Sequence, residues 1–108
     1  MQELREAARQ LRRDVPEVIE AYATMLRAVM VDGAVSAKVK ELIALAIAAT
    51  RECDGCIAAR ARSAAHYQAS AAEVAETIGV VVLTNGGPGT IWGSRALAAY
   101  REFGAKPG

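Results

Sequence analysis

Lys40-Glu41-Leu42-Ile43-Ala44-Leu45-Ala46-Ile47-Ala48-Ala49-Thr50-Arg51-Glu52-Cys53-Asp54-Gly55-Cys56 is the stretch on which the reading of this chain turns. Residues 42–49 are all apolar, far short of the ~18 residues of a membrane span. Alanine and leucine dominate, and no β-branched alternation is present, so the segment predicts a helix rather than a strand. It is apolar nearly all round and should therefore lie at the centre of the fold. Ser36 is placed to cap it. It ends at the only two cysteines of the chain, three positions apart, and these open the next helix.

The same logic extends in both directions. A first helix covers roughly residues 2–13, with Leu4, Ala7, Ala8 and Leu11 on one stripe. Asp14-Val15-Pro16-Glu17 has the form of a capping box, with Asp14 as N-cap, and starts a second helix that runs to about Val31. The helix opened by the cysteines continues to about Gln68. Ser70-Ala71-Ala72-Glu73 is another capping box and begins a fifth helix, which ends before Asn85-Gly86-Gly87-Pro88-Gly89. A last helix spans about Thr90 to Phe103, and the tail from Gly104 to Gly108 should fray. The expectation is an all-α helical bundle of about six helices in one domain, residues 1–108, with its motif-bearing core at about 38–103.

Composition narrows the function. With 13 basic and 12 acidic residues the formal net charge is +1, which argues against a nucleic-acid or anionic-membrane binder driven by bulk charge. The hydrophobic fraction is 53% and the mean hydropathy +0.15. A domain this small cannot hide so much apolar surface, and the excess predicts a large subunit interface and an obligate homo-oligomer. Met1 to Asp14 is dense in charge and does not have the build of a secretion signal, so the expected compartment is the cytoplasm. Two closely spaced cysteines there are more often catalytic or metal-binding than a structural staple.

A disulfide across a four-residue loop constrains the unfolded chain by only about 2 kcal/mol, against about 3 for fifteen residues. Cys53 and Cys56 read better as a pair that shuttles between dithiol and disulfide, one thiol attacking and its neighbour resolving. The plainer alternative is two small residues buried at a helix junction. Zinc is disfavoured, because a site takes about four ligands and the chain offers two cysteines and one histidine. No metal or cofactor is expected. If Cys56 lies in the first helical turn, free backbone N–H groups and the helix dipole favour its thiolate.

These features resemble the carboxymuconolactone decarboxylase family, which includes the alkylhydroperoxidase D-like proteins. The matching parts are Lys40 to Ala46, Arg51 to Ala58 with its Cys53-Asp54-Gly55-Cys56 core, Ser70 to Glu76, and the Gly86-Gly87-Pro88 turn. The resemblance implies an all-helical trimer or hexamer. In the alkylhydroperoxidase members a Cys-x-x-Cys pair reduces peroxides, helped by a preceding glutamate and by a histidine four residues after the second cysteine. Carried over, Cys56 is the peroxide-attacking cysteine, Cys53 the proton-donating and resolving one, and Glu41 the glutamate. The histidine position is Arg60, a departure. Positions 56 and 60 share a helix face, so Arg60 can reach the Cys56 sulfur. Arginine stays charged, so it can hold a thiolate or bind a substrate carboxylate but cannot relay a proton.

The remaining features carry bland readings. Glu41, early in a helix, suits the dipole and could pair with Lys38. On one straight helix it would lie ~18 Å from Cys53, so a site role needs a chain reversal or another subunit. His66, the only histidine, is ~15 Å along the helix from Cys56 and out of reach of it. The Asn85 to Gly89 segment reads as a tight helix connection rather than a phosphate loop. Trp92 and Tyr100 share a face and read as interface or core.

Three functions are thus in play. The first is a thiol-dependent oxidoreductase that reduces peroxides and is recharged by an external dithiol reductant. The second is a lyase or hydrolase acting on a small carboxylated lactone anchored by Arg60. The third is a non-enzymatic, redox-sensing oligomeric module.

Overall fold

The computed structural model describes residues 2–104, and among them six α-helices and no strand occur. They are α1 (Gln2–Asp14), α2 (Pro16–Val29), α3 (Ala37–Thr50), α4 (Asp54–His66), α5 (Ala71–Asn85) and α6 (Gly87–Gly104). The all-α expectation is met. The fraying expected of the tail falls on residues 105–108, outside the described residues, as does the place of the Leu4 side chain in the α1 stripe.

Two of the three expected caps form. Ser36 accepts the Val39 N–H through its Oγ at 3.1 Å. Ser70 and Glu73 make a full capping box: Glu73 N–H donates to Ser70 Oγ at 3.1 Å and Ser70 N–H to Glu73 Oε1 at 2.8 Å. Each such cap satisfies donors that the first turn leaves unpaired.

The third does not form. Asp14 is the last residue of α1, and the N-cap of α2 is Val15, which makes no side-chain cap. With a single residue between the helices, Asp14 is still wound into α1, and its Oδ1 accepts from Gln10 Nε2 at 3.0 Å instead. Pro16 alone marks the start of α2, as a first-turn proline should.

The α5–α6 connection is also tighter than expected. Only Gly86 lies between the two helices, at φ 65°, and α6 begins at Gly87 rather than Thr90. Pro88 sits in the first turn, where its missing N–H costs nothing. Gly89 is buried there, and a Cβ at this position would stand 2.8 Å from the Val81 carbonyl oxygen. The absence of a side chain lets α6 lie close on α5.

Helices α3 to α6 pack together around Leu45, Val74, Val81, Ala61, Ala64 and Ala96, each no more than 1% exposed. Burying a leucine or valine side chain contributes roughly 1.5–3 kcal/mol. Tyr100 is part of this core, and its hydroxyl donates to the Ala69 carbonyl at 2.6 Å. Trp92 packs against it, half-buried.

Helix α3 touches α4, α5 and α6, as expected of a central helix. It is not enclosed all round, however: Val39, Ile43 and Ile47 form an exposed stripe. Helix α2 buries no residue, and Val18, Tyr22, Met25 and Val29 repeat along it at helical spacing, each at least half exposed. Helices α1 and α2 pack mainly on each other. Lys40 ties the end of α2 to α3, its Nζ donating to the carbonyls of Val29 at 2.9 Å and Val31 at 2.8 Å.

Candidate functional site

The cysteine pair sits on a junction that one residue closes from both sides. Arg51 is the C-cap of α3, and Glu52 follows at φ 55°, in the left-handed region. Glu52 N–H then bonds the Ala49 carbonyl at 3.1 Å and Cys53 N–H the Ala48 carbonyl at 3.3 Å. This pair of bonds is the Schellman closure of a helix end. Cys53 is in turn the N-cap of α4: its Sγ accepts the Cys56 N–H at 3.3 Å, and its carbonyl accepts from Ile57 at 2.8 Å. The last residue of one closure is the first of the next helix, so Cys53 is fixed by backbone on both sides.

Cys56 stands in the first turn of α4, as the sequence predicts, with its side chain exposed, while Cys53 is half-buried. The two are joined in a disulfide, with Cα atoms 5.2 Å apart. Asp54, between them, is gripped from α6 by Arg95, with contacts of 3.1 Å and 3.2 Å. A carboxylate in the first turn also suits the helix dipole.

Glu41 and Arg60 complete the set. Helix α4 folds back along α3, and this reversal carries Arg60 to Glu41. Arg60 donates through a terminal guanidinium nitrogen to Glu41 Oε1 at 2.8 Å. The Glu41 side chain is 2% exposed and that of Arg60 18%. Burial pushes the Glu41 carboxyl above its ordinary value, and the charge and hydrogen bond of Arg60 pull the other way. Two expectations need correction here. Lys38 does not pair with Glu41; it reaches across to Glu73 Oε2 at 2.8 Å. Nor is the Arg60 guanidinium free for the Cys56 sulfur alone, because its hydrogen-bonding is directed at Glu41.

Cys53, Cys56 and Arg60 line one cleft of about 720 Å³, and Glu41 is connected to it through Arg60. Its wall is largely apolar, with Ala44, Ile47 and Ala48 from α3, Tyr22 from α2 and Phe103 from α6. Arg5, Arg51 and Arg62 also line it. Sequence reasoning missed these three. An arginine at an exposed helix position is usually part of a solvated face, and only the packing of α1, α3 and α4 shows that they border one space. His66 is exposed at the end of α4 against the edge of Tyr67, away from the cleft. Among the described residues no group of three or more His, Cys, Asp or Glu side chains is placed to hold a metal ion.

Residues 16–99 match the carboxymuconolactone decarboxylase family. The chain belongs to that family. A crystal structure of an apo carboxymuconolactone decarboxylase family protein from Legionella pneumophila superposes with a TM-score of 0.88. It is 33% identical, and the match covers 95% of this chain and 92% of that one. An uncharacterized protein of Cupriavidus necator is 33% identical over 90 residues, 83% of this chain and 80% of its own length. One from Haemophilus influenzae, also uncharacterized, is 35% identical over 91 residues, covering 84% and 80%. The family includes alkylhydroperoxidase D-like peroxidases, and a disulfide at Cys53–Cys56 is compatible with their chemistry. Among the described residues no helix is long and apolar enough to cross a membrane.

Proposed function

We propose that the protein is a thiol-dependent peroxidase working through Cys53 and Cys56. The observation that carries this reading is the pair itself: bonded to each other, at a helix N-terminus, with exposed Cys56 facing a cleft large enough for a substrate. In the reduced form the Cys56 thiolate attacks the terminal oxygen of a hydroperoxide. The O–O bond breaks, sulfur gains the hydroxyl and becomes a sulfenic acid, and the alkoxide leaves. The Cys53 thiol protonates the alkoxide to an alcohol. The resulting Cys53 thiolate displaces hydroxide from the sulfenic sulfur, and that hydroxide takes a proton to become water. An external dithiol then reduces the disulfide and is itself oxidised. Glu41, a buried carboxyl whose pKa burial raises, meets the cleft only through Arg60, so its part in this scheme is to hold Arg60 beside the cysteines.

The proposed working form is a homo-oligomer, trimer or hexamer, with further copies of this chain covering the apolar residues of α2 and α3 that lie outside the cleft, Val18, Met25, Val29, Val39 and Ile43. The proposed compartment is the cytoplasm, where a dithiol pool keeps the pair reduced. A second reading, lyase or hydrolase action on a carboxylated lactone, draws on the arginines of the cleft. The deciding experiment titrates the thiols of the reduced protein before and after a stoichiometric peroxide pulse. Loss of two thiols per chain, with recovery and continued peroxide consumption on adding a dithiol, supports the peroxidase. Retention of both thiols, with consumption of a lactone acid, supports the lyase.

A further inference from the structure

The space above the cysteine pair is much larger than a small peroxide needs. At about 720 Å³ it lies within the ~300–1,000 Å³ range of sites that hold organic ligands. Its apolar wall offers hydrogen peroxide no recognition. The charge around it is one-sided. Arg5, Arg51, Arg60 and Arg62 line the cleft and, among the described residues, no aspartate or glutamate does, although the chain as a whole carries only +1. Arg60 is neutralised by Glu41. Arg5, Arg51 and Arg62 make no ion pair among the described residues, as is also true of Arg12, Arg13 and Arg101; what sets the first three apart is that they border one apolar space. Arg62 lies over the Phe103 ring, 5.8 Å from its centroid, and Phe103 lines the cleft beside it. Stacking uses the flat face of a guanidinium and leaves its N–H fork open to a planar anion.

From this juxtaposition of an apolar trough, unpaired arginines and a disulfide we infer that the cleft binds an amphipathic carboxylate, with its chain along the apolar wall and its head group on Arg51 and Arg62, assisted by Arg5. The inference rests on the proposed peroxidase reading for its consequence: the preferred substrate is an organic hydroperoxide bearing a carboxylate, not hydrogen peroxide. The apolar body separates the anion from the Cys56 thiolate, so the two negative charges do not compete for one place.

Binding tests the inference without requiring turnover. Octanoate, 1-octanol and acetate are titrated calorimetrically into the intact protein. Octanoate should bind at least about tenfold more tightly than either, because head and chain each contribute. Its affinity should fall as salt is raised. The double variant Arg51→Gln with Arg62→Gln should lose about tenfold or more in octanoate affinity and leave octanol unchanged, while Arg51→Lys with Arg62→Lys retains most of it. Melting curves confirm that the variants are folded. Equal binding of octanol and octanoate, or undiminished octanoate binding in the glutamine variant, overturns the inference.

The catalytic arm compares kcat/KM for linoleic acid hydroperoxide, its methyl ester and hydrogen peroxide. Preference for the free acid, lost in the glutamine variant through KM, supports the proposal. If octanoate binds as described and no peroxide is consumed, the peroxidase reading fails and the binding site stands. If all three peroxides react alike and octanoate does not bind, the peroxidase stands and the carboxylate site is wrong.

Discussion

Arg60→Ala should destabilise the protein in a way that depends on pH, because of what it leaves behind. Glu41 is 2% exposed, and among the described residues its one charged partner within ion-pair distance is Arg60 at 2.8 Å. Removing one member of a buried pair typically costs about 3–5 kcal/mol, since the remaining charge is desolvated without compensation. Against a total stability of about 5–15 kcal/mol this is a large share. At about 4 °C or more per kcal/mol, the melting temperature should fall by on the order of 15 °C near neutral pH.

The sign follows from the causes of the Glu41 shift. Burial raises its pKa and both effects of Arg60 lower it, so the variant keeps only the raising cause. The folded variant then holds a proton that the unfolded chain, with a glutamate pKa of about 4.3, has released. Its stability must fall as pH rises from there through the folded pKa, and level off above it. Urea unfolding of wild type and variant at matched protein concentration, at pH 5 and pH 7, reads this directly. The gap between them should narrow at pH 5. Glu41→Gln in the Arg60→Ala background should recover part of the loss at pH 7, because the uncompensated charge is gone. A gap that is the same at both pH values, or a double variant weaker than Arg60→Ala, would refute the reasoning and reduce Arg60 to a packing role.

Three further outcomes are expected. In the reduced protein Cys56 should alkylate faster than Cys53 at neutral pH, with an apparent pKa below the free value of about 8.5, since Cys56 lies in the first turn of α4; faster labelling of Cys53, read by mass spectrometry, would reverse their roles. Arg60→His should raise peroxide turnover by at least about tenfold and give it a pH dependence near 6–7, because histidine can pass a proton and arginine cannot; unchanged turnover under steady-state assay removes the relay from the mechanism. Light scattering should find no stable monomer at micromolar concentration, given the exposed Val18, Met25 and Val29 of α2 and Val39 and Ile43 of α3; a monomer would mean that those residues do not form a subunit interface.

What the sequence made legible was local. The caps at Ser36 and Ser70 formed because a hydroxyl and the N–H groups it serves lie within four residues, whatever the rest of the chain does. Cys56 could be placed in a first turn for the same reason. The misreadings concern spacing too short to allow two structures, as at Asp14, and pairings set by tertiary packing. Both Glu41 and Arg60 were singled out, yet their contact spans nineteen positions, and a local rule offered Glu41 the nearer Lys38. The arginine border of the cleft was invisible for a further reason: its members come from α1, the C-cap of α3 and α4, and no periodicity along one helix records a space between three.

Position 60 shows how packing and chemistry separate at one residue. A glutamate buried to the extent of Glu41 needs a hydrogen-bonding, positively charged neighbour if it is to stay ionised. Arg60 supplies that across the α3–α4 contact, and a histidine would carry the same charge only when protonated. Only histidine also exchanges its proton near neutral pH. Arg60 therefore preserves the half of the arrangement that holds α3 to α4 beside the cysteines and gives up the half that relays a proton. A site so altered retains a reason to keep Glu41 buried and Cys53 and Cys56 bonded in register. On the proposed peroxidase reading it also places the burden of protonating a leaving alkoxide on the Cys53 thiol. Turnover should then be limited at O–O cleavage rather than at disulfide formation, so oxidation of the pair by peroxide should be slow in the first turnover as in later ones, until position 60 can give up a proton.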